Sequence, residues 1–318
     1  MLQIYGLAGC WGIANLRYLL FLPKIDGMKK KSKKKSGFVK KLRNLFALLM
    51  LLVVCGFYVT EELGIDVQAV AEDVVGKVQI KTPGKLEIPV LEKSVSSQVL
   101  EYKGFTVSYN KDLRLPNWVA YELTASEVEG DLPRKDKFRP DPAAHGPQAN
   151  KEDYKNSGWD RGHMAPAADM KWSAEAIDES CYFTNICPQN PQLNGGDWKE
   201  LEEQCRKWAQ KYGSIYIACG PIITKNEHGK IGANKVVVPD KFYKVVLARV
   251  NSEYQGVGFI FHNPPQRKSK ISGKPSVNRP LKSYVVSIDE VEAVTGIDFF
   301  QALPADTQNR VESSKVMF

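Results

Sequence analysis

Trp159-Asp160-Arg161-Gly162-His163-Met164-Ala165-Pro166 places a carboxylate, a guanidinium, a glycine and an imidazole at four consecutive positions, Asp160 to His163. Neighbouring positions on a helix or a strand point in different directions, so neither face of a regular element calls for that order. The stretch reads as a loop that gathers chemistry. Attack of water on a phosphodiester needs such parts: a base for the water, a cation for the phosphoryl oxygens and a means of holding a metal.

On the C-terminal side, Ser173 caps a short helix over residues 174–180. Tyr182 to Ile186 reads as a strand and Pro188 to Gly196 as a loop. Asp197 then caps the strongest helix of the chain, residues 198–212, whose apolar Trp198, Leu201, Cys205, Trp208 and Ala209 recur at helical spacing before Gly213 stops it. Residues 214–219, 242–250 and 256–261 are apolar, β-branched strand runs. Val285–Ile288 leads into Asp289, the expected cap of a last turn over residues 290–295 that Gly296 ends. On the N-terminal side, residues 99–102, 105–109 and 118–124 read as strands, and the Pro- and Lys-rich residues 134–148 as a loop. Strands and helices mix without a regular βαβ rhythm. The expected class is α+β with a mainly antiparallel sheet flanked by helices.

The 318 residues carry a formal net charge of +8, but residues 1–44 hold eleven Lys and Arg against the single acid Asp26. That leader balances at +10 and leaves −2 for everything after it. A globally basic nucleic-acid-binding domain is therefore excluded, and phosphate recognition has to come from a local cluster. The basic run Lys29–Arg43 precedes Leu45–Val59, fifteen residues without a charge, in the order of a signal anchor. The run is short of the ~20 residues of a full span, and flanking polar residues make up the difference. The expected organisation is a basic cytoplasmic leader over 1–44, a signal anchor over 45–59, a tether over 60–97 and a domain over 98–318, with Met28 as an alternative start. Lysines on the inner side place the domain outside, periplasmic or extracellular; a mitochondrial location is the alternative. Of the six cysteines, Cys181, Cys187, Cys205 and Cys219 lie in the domain. None has zinc spacing, and their pairing stays open.

Asp160-Arg161-Gly162-His163, with Asn194 thirty-one residues after the histidine and Glu202 eight further on, resembles the DNA/RNA non-specific endonucleases, the family of the Serratia-type nuclease and mitochondrial endonuclease G. Gly220-Pro221 and Val238-Pro239-Asp240-Lys241-Phe242-Tyr243-Lys244-Val245 are similar to that family's later strands. The resemblance runs from about Leu100 to the C-terminus and implies a ββα-metal (His-Me finger) core. It implies His163 as general base, and an imidazole is the side chain suited to that task near neutral pH. It implies Asn194 as the direct protein ligand of Mg2+, with Mn2+ as a substitute, and Glu202 and Asp160 acting through metal-bound water. Arg161 braces the phosphate, and Arg134 matches an upstream arginine, although variable gaps leave Arg139 as an alternative. Asn185 matches a supporting asparagine. Duller readings stand beside these: a turn Asn before Gly195-Gly196, a solvated helix Glu, a solvated loop Arg and a buried Asn completing backbone bonds. The implied activity is sugar-non-specific hydrolysis of DNA and RNA to 5′-phosphate ends. The alternatives are a membrane-tethered nucleic-acid binder without catalysis and a phosphodiesterase acting on other phosphoesters.

Overall fold

The computed structural model describes residues 85–92, 94–134, 137–265 and 279–318. The leader, the anchor run and most of the tether lie outside the described residues. No helix among the described residues is long and apolar enough to cross a membrane.

The centre is a seven-stranded sheet in which every neighbouring pair is antiparallel. Its strands are β1 (Gln98–Glu101), β2 (Thr106–Asn110) and β3 (Leu115–Thr124), then β6 (Ser214–Ile222), β7 (Lys241–Val250), β8 (Glu253–His262) and β9 (Val285–Val286). The spatial order is β9-β8-β7-β6-β3-β2-β1. Strands β4 (Asp160–His163) and β5 (Ile186–Gln189) form a separate antiparallel ribbon, Asp160 opposite Gln189 and His163 opposite Ile186. That ribbon and the helices α1 (Ala174–Ser180), α2 (Pro191–Gly195) and α3 (Asp197–Tyr212) all belong to the connection between the paired neighbours β3 and β6. Helices α4 (Ile288–Thr295) and α5 (Ala305–Glu312) follow the last sheet strand.

Both faces of the sheet are covered. Phe242, Val246 and Ala248 of β7 enter a core with Trp198, Leu201, Cys205 and Trp208 of α3. The alternating residues Tyr243, Val245 and Leu247 enter a second core with Ile288, Val291, Phe299 and Val311 on the other side. A strand buried on both faces loses the apolar/polar alternation, which is why residues 242–248 of β7 read as an apolar run interrupted only by Lys244. The antiparallel α+β expectation is met.

Several local expectations are corrected. Asp160–His163 is a strand, because its backbone groups bond the ladder of β5 while its side chains serve other ends. Tyr182–Ile186 is not one strand: Phe183–Asn185 is a 3-10 turn, and the strand begins at Ile186. Packing of Phe183 into the core, rather than pairing, accounts for that apolar run. Pro188–Gly196, expected as loop, is the end of β5 and then α2, which the Asn190 side chain caps by accepting from the N–H groups of Gln192 and Leu193. Asp197 is the first residue of α3 rather than its cap; the cap position is Gly196. Its carboxylate instead accepts the Tyr284 hydroxyl at 2.5 Å. The cap of α4 is Ser287, which forms a reciprocal capping box with Glu290, while Asp289 stays exposed. Residues 85–92, placed in the tether by the sequence reading, lie on the domain. Val90–Leu91 pairs with Ile297–Asp298, and Leu86, Ile88 and Leu91 pack against the second core. Proline at position 89 prevents a long element but not an extended chain on an apolar surface.

Candidate active site

On β4 the side chains alternate. Asp160 and Gly162 share one face of the ribbon, and Arg161 and His163 share the other. Phe138 is the floor of the second face. The Arg161 guanidinium lies 4.5 Å over its ring and the His163 ring is 5.2 Å from it, centroid to centroid. Arg161 stays exposed whereas His163 is only 7% exposed, so the imidazole is shielded beside a cation that reaches solvent. Gly162 is needed on the first face: a Cβ there would sit 2.2 Å from Oε1 and 2.7 Å from Cβ of Gln189.

The backbone around His163 is fixed from three sides. The Trp198 indole N–H of α3 donates to the His163 carbonyl at 3.3 Å. The Asn185 carboxamide accepts from the Ala165 N–H at 2.9 Å and donates to the carbonyls of Ala165 and Ser180 at 2.9 and 2.8 Å. The Cys219 thiol donates to the Met164 carbonyl at 3.2 Å. Asn185 thus acts entirely through backbone bonds, holding the chain just after the histidine. Cys187, Cys205 and Cys219 are buried free thiols, and Cys181 is buried as well.

Asn194 sits on α2 and donates its amide N–H to Asp160 Oδ2 at 3.0 Å. Helix α2 is held by buried asparagines: Asn263 accepts from the Asn190 N–H at 2.8 Å and donates to the carbonyls of Pro188 and Pro239. Glu202 lies one helical turn beyond Trp198 and is half-buried. Burial pushes its carboxyl up to about 7, opposed chiefly by the Lys244 ammonium. The Trp198 indole thus ties the strand of His163 to α3, the helix that also carries Glu202. The next turn carries Arg206, paired at 2.7 Å with the buried Asp169, which also accepts the Tyr121 hydroxyl.

The two candidate arginines separate. Arg139 is held at 2.5 Å by Asp178 and lies 4.4 Å over the Tyr182 ring, so it braces the fold. Arg134 is exposed, on the segment that leads to Phe138. His145 and His262 are exposed, and His228 rests against Trp159 with ring centroids 5.4 Å apart. Beside Asp160 and Arg161 opens a cleft of about 380 Å³, also lined by Lys151, Glu152, Tyr154, Lys155 and Trp159. The sequence reading missed Gln189, Asn263, Lys244 and the Trp198 N–H. Their roles depend on partners far along the chain; only the unusual Lys within the apolar run of β7 was a visible signal.

The residues fit a hydrated divalent cation. The Asn194 N–H is spent on Asp160, and no described residue donates to its Oδ1, which leaves one neutral oxygen beside a carboxylate. Fully buried Gln189, opposite Asp160, has an amide with neither atom partnered among the described residues, as expected beside bound water.

The model of the DNA/RNA non-specific endonuclease family matches residues 82–306. The mitochondrial nuclease EXOG of Danio rerio is 37% identical over 218 residues, 64% of this chain and 60% of that protein. The mitochondrial endonuclease G of Homo sapiens is 30% identical over 215 residues, 64% of this chain and 69% of that protein. The crystal structure of an EndoG/EndoGI complex contains a similar chain, with TM-score 0.59 and 25% identity, covering 73% of this chain and 94% of that one. The match thus spans about three-fifths of the EXOG relative's length. With the β4–β5 ribbon packed on α3 and the Asp160–His163 motif at its heart, this chain belongs to the DNA/RNA non-specific endonuclease family.

Proposed function

We propose that the protein is a metal-dependent endonuclease that hydrolyses DNA and RNA without sugar or sequence specificity. The observation that carries this reading is the juxtaposition on one short ribbon of a shielded imidazole and an exposed guanidinium on Phe138, with Asn194 closed onto Asp160 at the ribbon's start. His163 takes the proton of the attacking water. Arg161, with Arg134 reaching in from the segment before Phe138, braces the phosphate and the charge that grows on it. Asn194 would hold Mg2+, or Mn2+ in its place, directly, with Glu202 and Asp160 reaching it through water. When bound, the cation supplies charge stabilisation to the phosphoryl and leaving 3′ oxygens, which leaves 5′-phosphate ends. Asn185 positions the chain behind the base. The cleft with Lys151, Lys155 and Trp159 offers cations and an aromatic face, groups that engage backbone and bases of any sequence.

The names of the EXOG and endonuclease G relatives favour the mitochondrial alternative for this chain. Export behind a 45–59 anchor is the competing location, with the membrane as partner. The complex of the structural neighbour with EndoGI makes an inhibitor protein a candidate partner as well. Supercoiled plasmid, single-stranded RNA and a small phosphodiester, each with Mg2+ and with EDTA, separate the activities. Cleavage of both polymers, abolished by EDTA, supports the nuclease. Hydrolysis of the small ester alone supports the phosphodiesterase, and retention of DNA without cleavage supports the binder.

A further inference from the structure

Helix α2 has two working sides. Asn194 reaches Asp160 from one of them. Gln192 and Leu193 turn away from that bond, because positions one and two residues apart on a helix point in different directions. They line a second pocket, of about 230 Å³, together with Phe261 and His262 at the end of β8, Arg279, and Tyr284 of the 3-10 turn Leu281–Tyr284. This pocket shares no lining residue with the cleft beside Arg161.

Its floor is apolar. Leu193 and Phe261 are buried, and the half-buried Tyr284 ring lies against Phe261 with centroids 4.4 Å apart. The Tyr284 hydroxyl donates to Asp197 at 2.5 Å, which fixes the ring and occupies the one carboxylate among the lining residues. At the rim, Gln192, His262 and Arg279 are exposed. Among the described residues their side chains have no hydrogen bond or ion pair, so the guanidinium is open to an outside anion. A fixed aromatic wall, an apolar floor, an amide and an unpaired cation are the groups that hold one unstacked nucleobase and its phosphate. A volume below the ~300 Å³ of drug-sized sites suits a single base. From Asn194 to the far side of α2 is about one helix width, ~10 Å, or roughly three nucleotide steps at the B-form rise.

We propose that this pocket is a nucleotide subsite for the substrate strand. A strand held at Arg161 and Asn194 crosses α2 and lays one base, unstacked from its neighbours, against Tyr284, with the adjoining phosphate on Arg279. Because the base has to leave its stack, a single strand fills the subsite more readily than a duplex. The inference rests on the nuclease reading for its substrate but not for its geometry. Fluorescence anisotropy of a labelled single-stranded DNA oligonucleotide on the full chain, in EDTA, tests it without activity. Arg279→Ala and Tyr284→Leu are each expected to weaken binding at least about fivefold, while Tyr284→Phe, which keeps the ring, stays within about twofold. The losses are expected to be smaller on the matching duplex. In Mg2+ the same two variants are expected to raise KM on single-stranded RNA with kcat within about twofold. Unchanged affinity in Arg279→Ala, an exposed side chain that the fold does not need, overturns the proposal. So does loss of adenosine 5′-monophosphate binding with the oligonucleotide unaffected, since that outcome makes the pocket a site for free nucleotide. A wild-type chain that does not cleave defeats the nuclease reading instead, and the anisotropy series then decides the subsite by itself.

Discussion

Gly162 shows how tightly single positions of the ribbon are constrained. An added Cβ would lie 2.7 Å from the Gln189 Cβ, an atom that cannot swing away without moving β5. Gly162→Ala is therefore expected to lower stability by about 2 kcal/mol and to cut activity more than stability, since the displaced β5 pairs with the strand that carries His163; unfolding and cleavage assays measure the two. Asp240 acts at a loop rather than at the site. Burial opposes its charge, but the backbone N–H groups of Thr224, Lys225, Glu227 and Asn226 outweigh burial and hold its carboxyl down at about 2. A depressed carboxylate stabilises the fold above its ordinary value near 4 and loses that contribution as pH falls through about 2. Asp240→Asn is expected to cost on the order of 1 kcal/mol at pH 7, after allowance for solvent screening. The gap to wild type should close between pH 4 and pH 2 in thermal scans, and a gap independent of pH contradicts the assignment.

At the scale of elements, legibility followed periodicity. Helix α3 was readable because Trp198, Leu201, Cys205, Trp208 and Ala209 are buried on one face at the helical repeat, and Gly213 ends it with φ +88°. Strand β4 was not, because its residues do not alternate between core and solvent: Asp160 accepts from Asn194, Arg161 and His163 lie against Phe138, and Gly162 admits the close approach of Gln189. The 3-10 turn at Phe183–Asn185 was missed for a related reason: its letters are those of a strand, but Asn185 spends its amide on Ala165, twenty residues away. Sequence spacing named Asp160 and Asn194, which the fold joins by a hydrogen bond, and Arg161 and His163, which share Phe138. It left Asn263, seventy-three residues from Asn190, invisible. Removing the Asn185 amide strands the Ala165 N–H and two carbonyls in the core, so Asn185→Ala is expected to cost roughly 3 kcal/mol in denaturant unfolding. A cost below about 1 kcal/mol would mean that the loop after His163 is held by other contacts.

At the scale of the molecule, the sheet is a frame and the connection between β3 and β6 is the working part. Neighbouring strands pinned over Val119–Thr124 and Ser214–Cys219 bracket an excursion that returns to the same sheet edge-on, with α3 laid back over it. The frame extends further toward the N-terminus than composition suggested, through Leu86, Ile88 and the Val90–Leu91 pairing. A chain begun at Lys81 is expected to be more stable than one begun at Gln98 by on the order of 3 kcal/mol, from the apolar side chains uncovered in the shorter form. Equal unfolding midpoints contradict that boundary. The most direct measurement of the central claim is cleavage of supercoiled plasmid and single-stranded RNA in Mg2+ by the full chain beside His163→Ala. The account predicts that wild type cuts both and that the substitution, at unchanged Tm, removes at least about a hundredfold of the rate on each. Cleavage that survives His163→Ala undiminished would contradict the assignment of the base and, with it, the reading of the ribbon as the active centre.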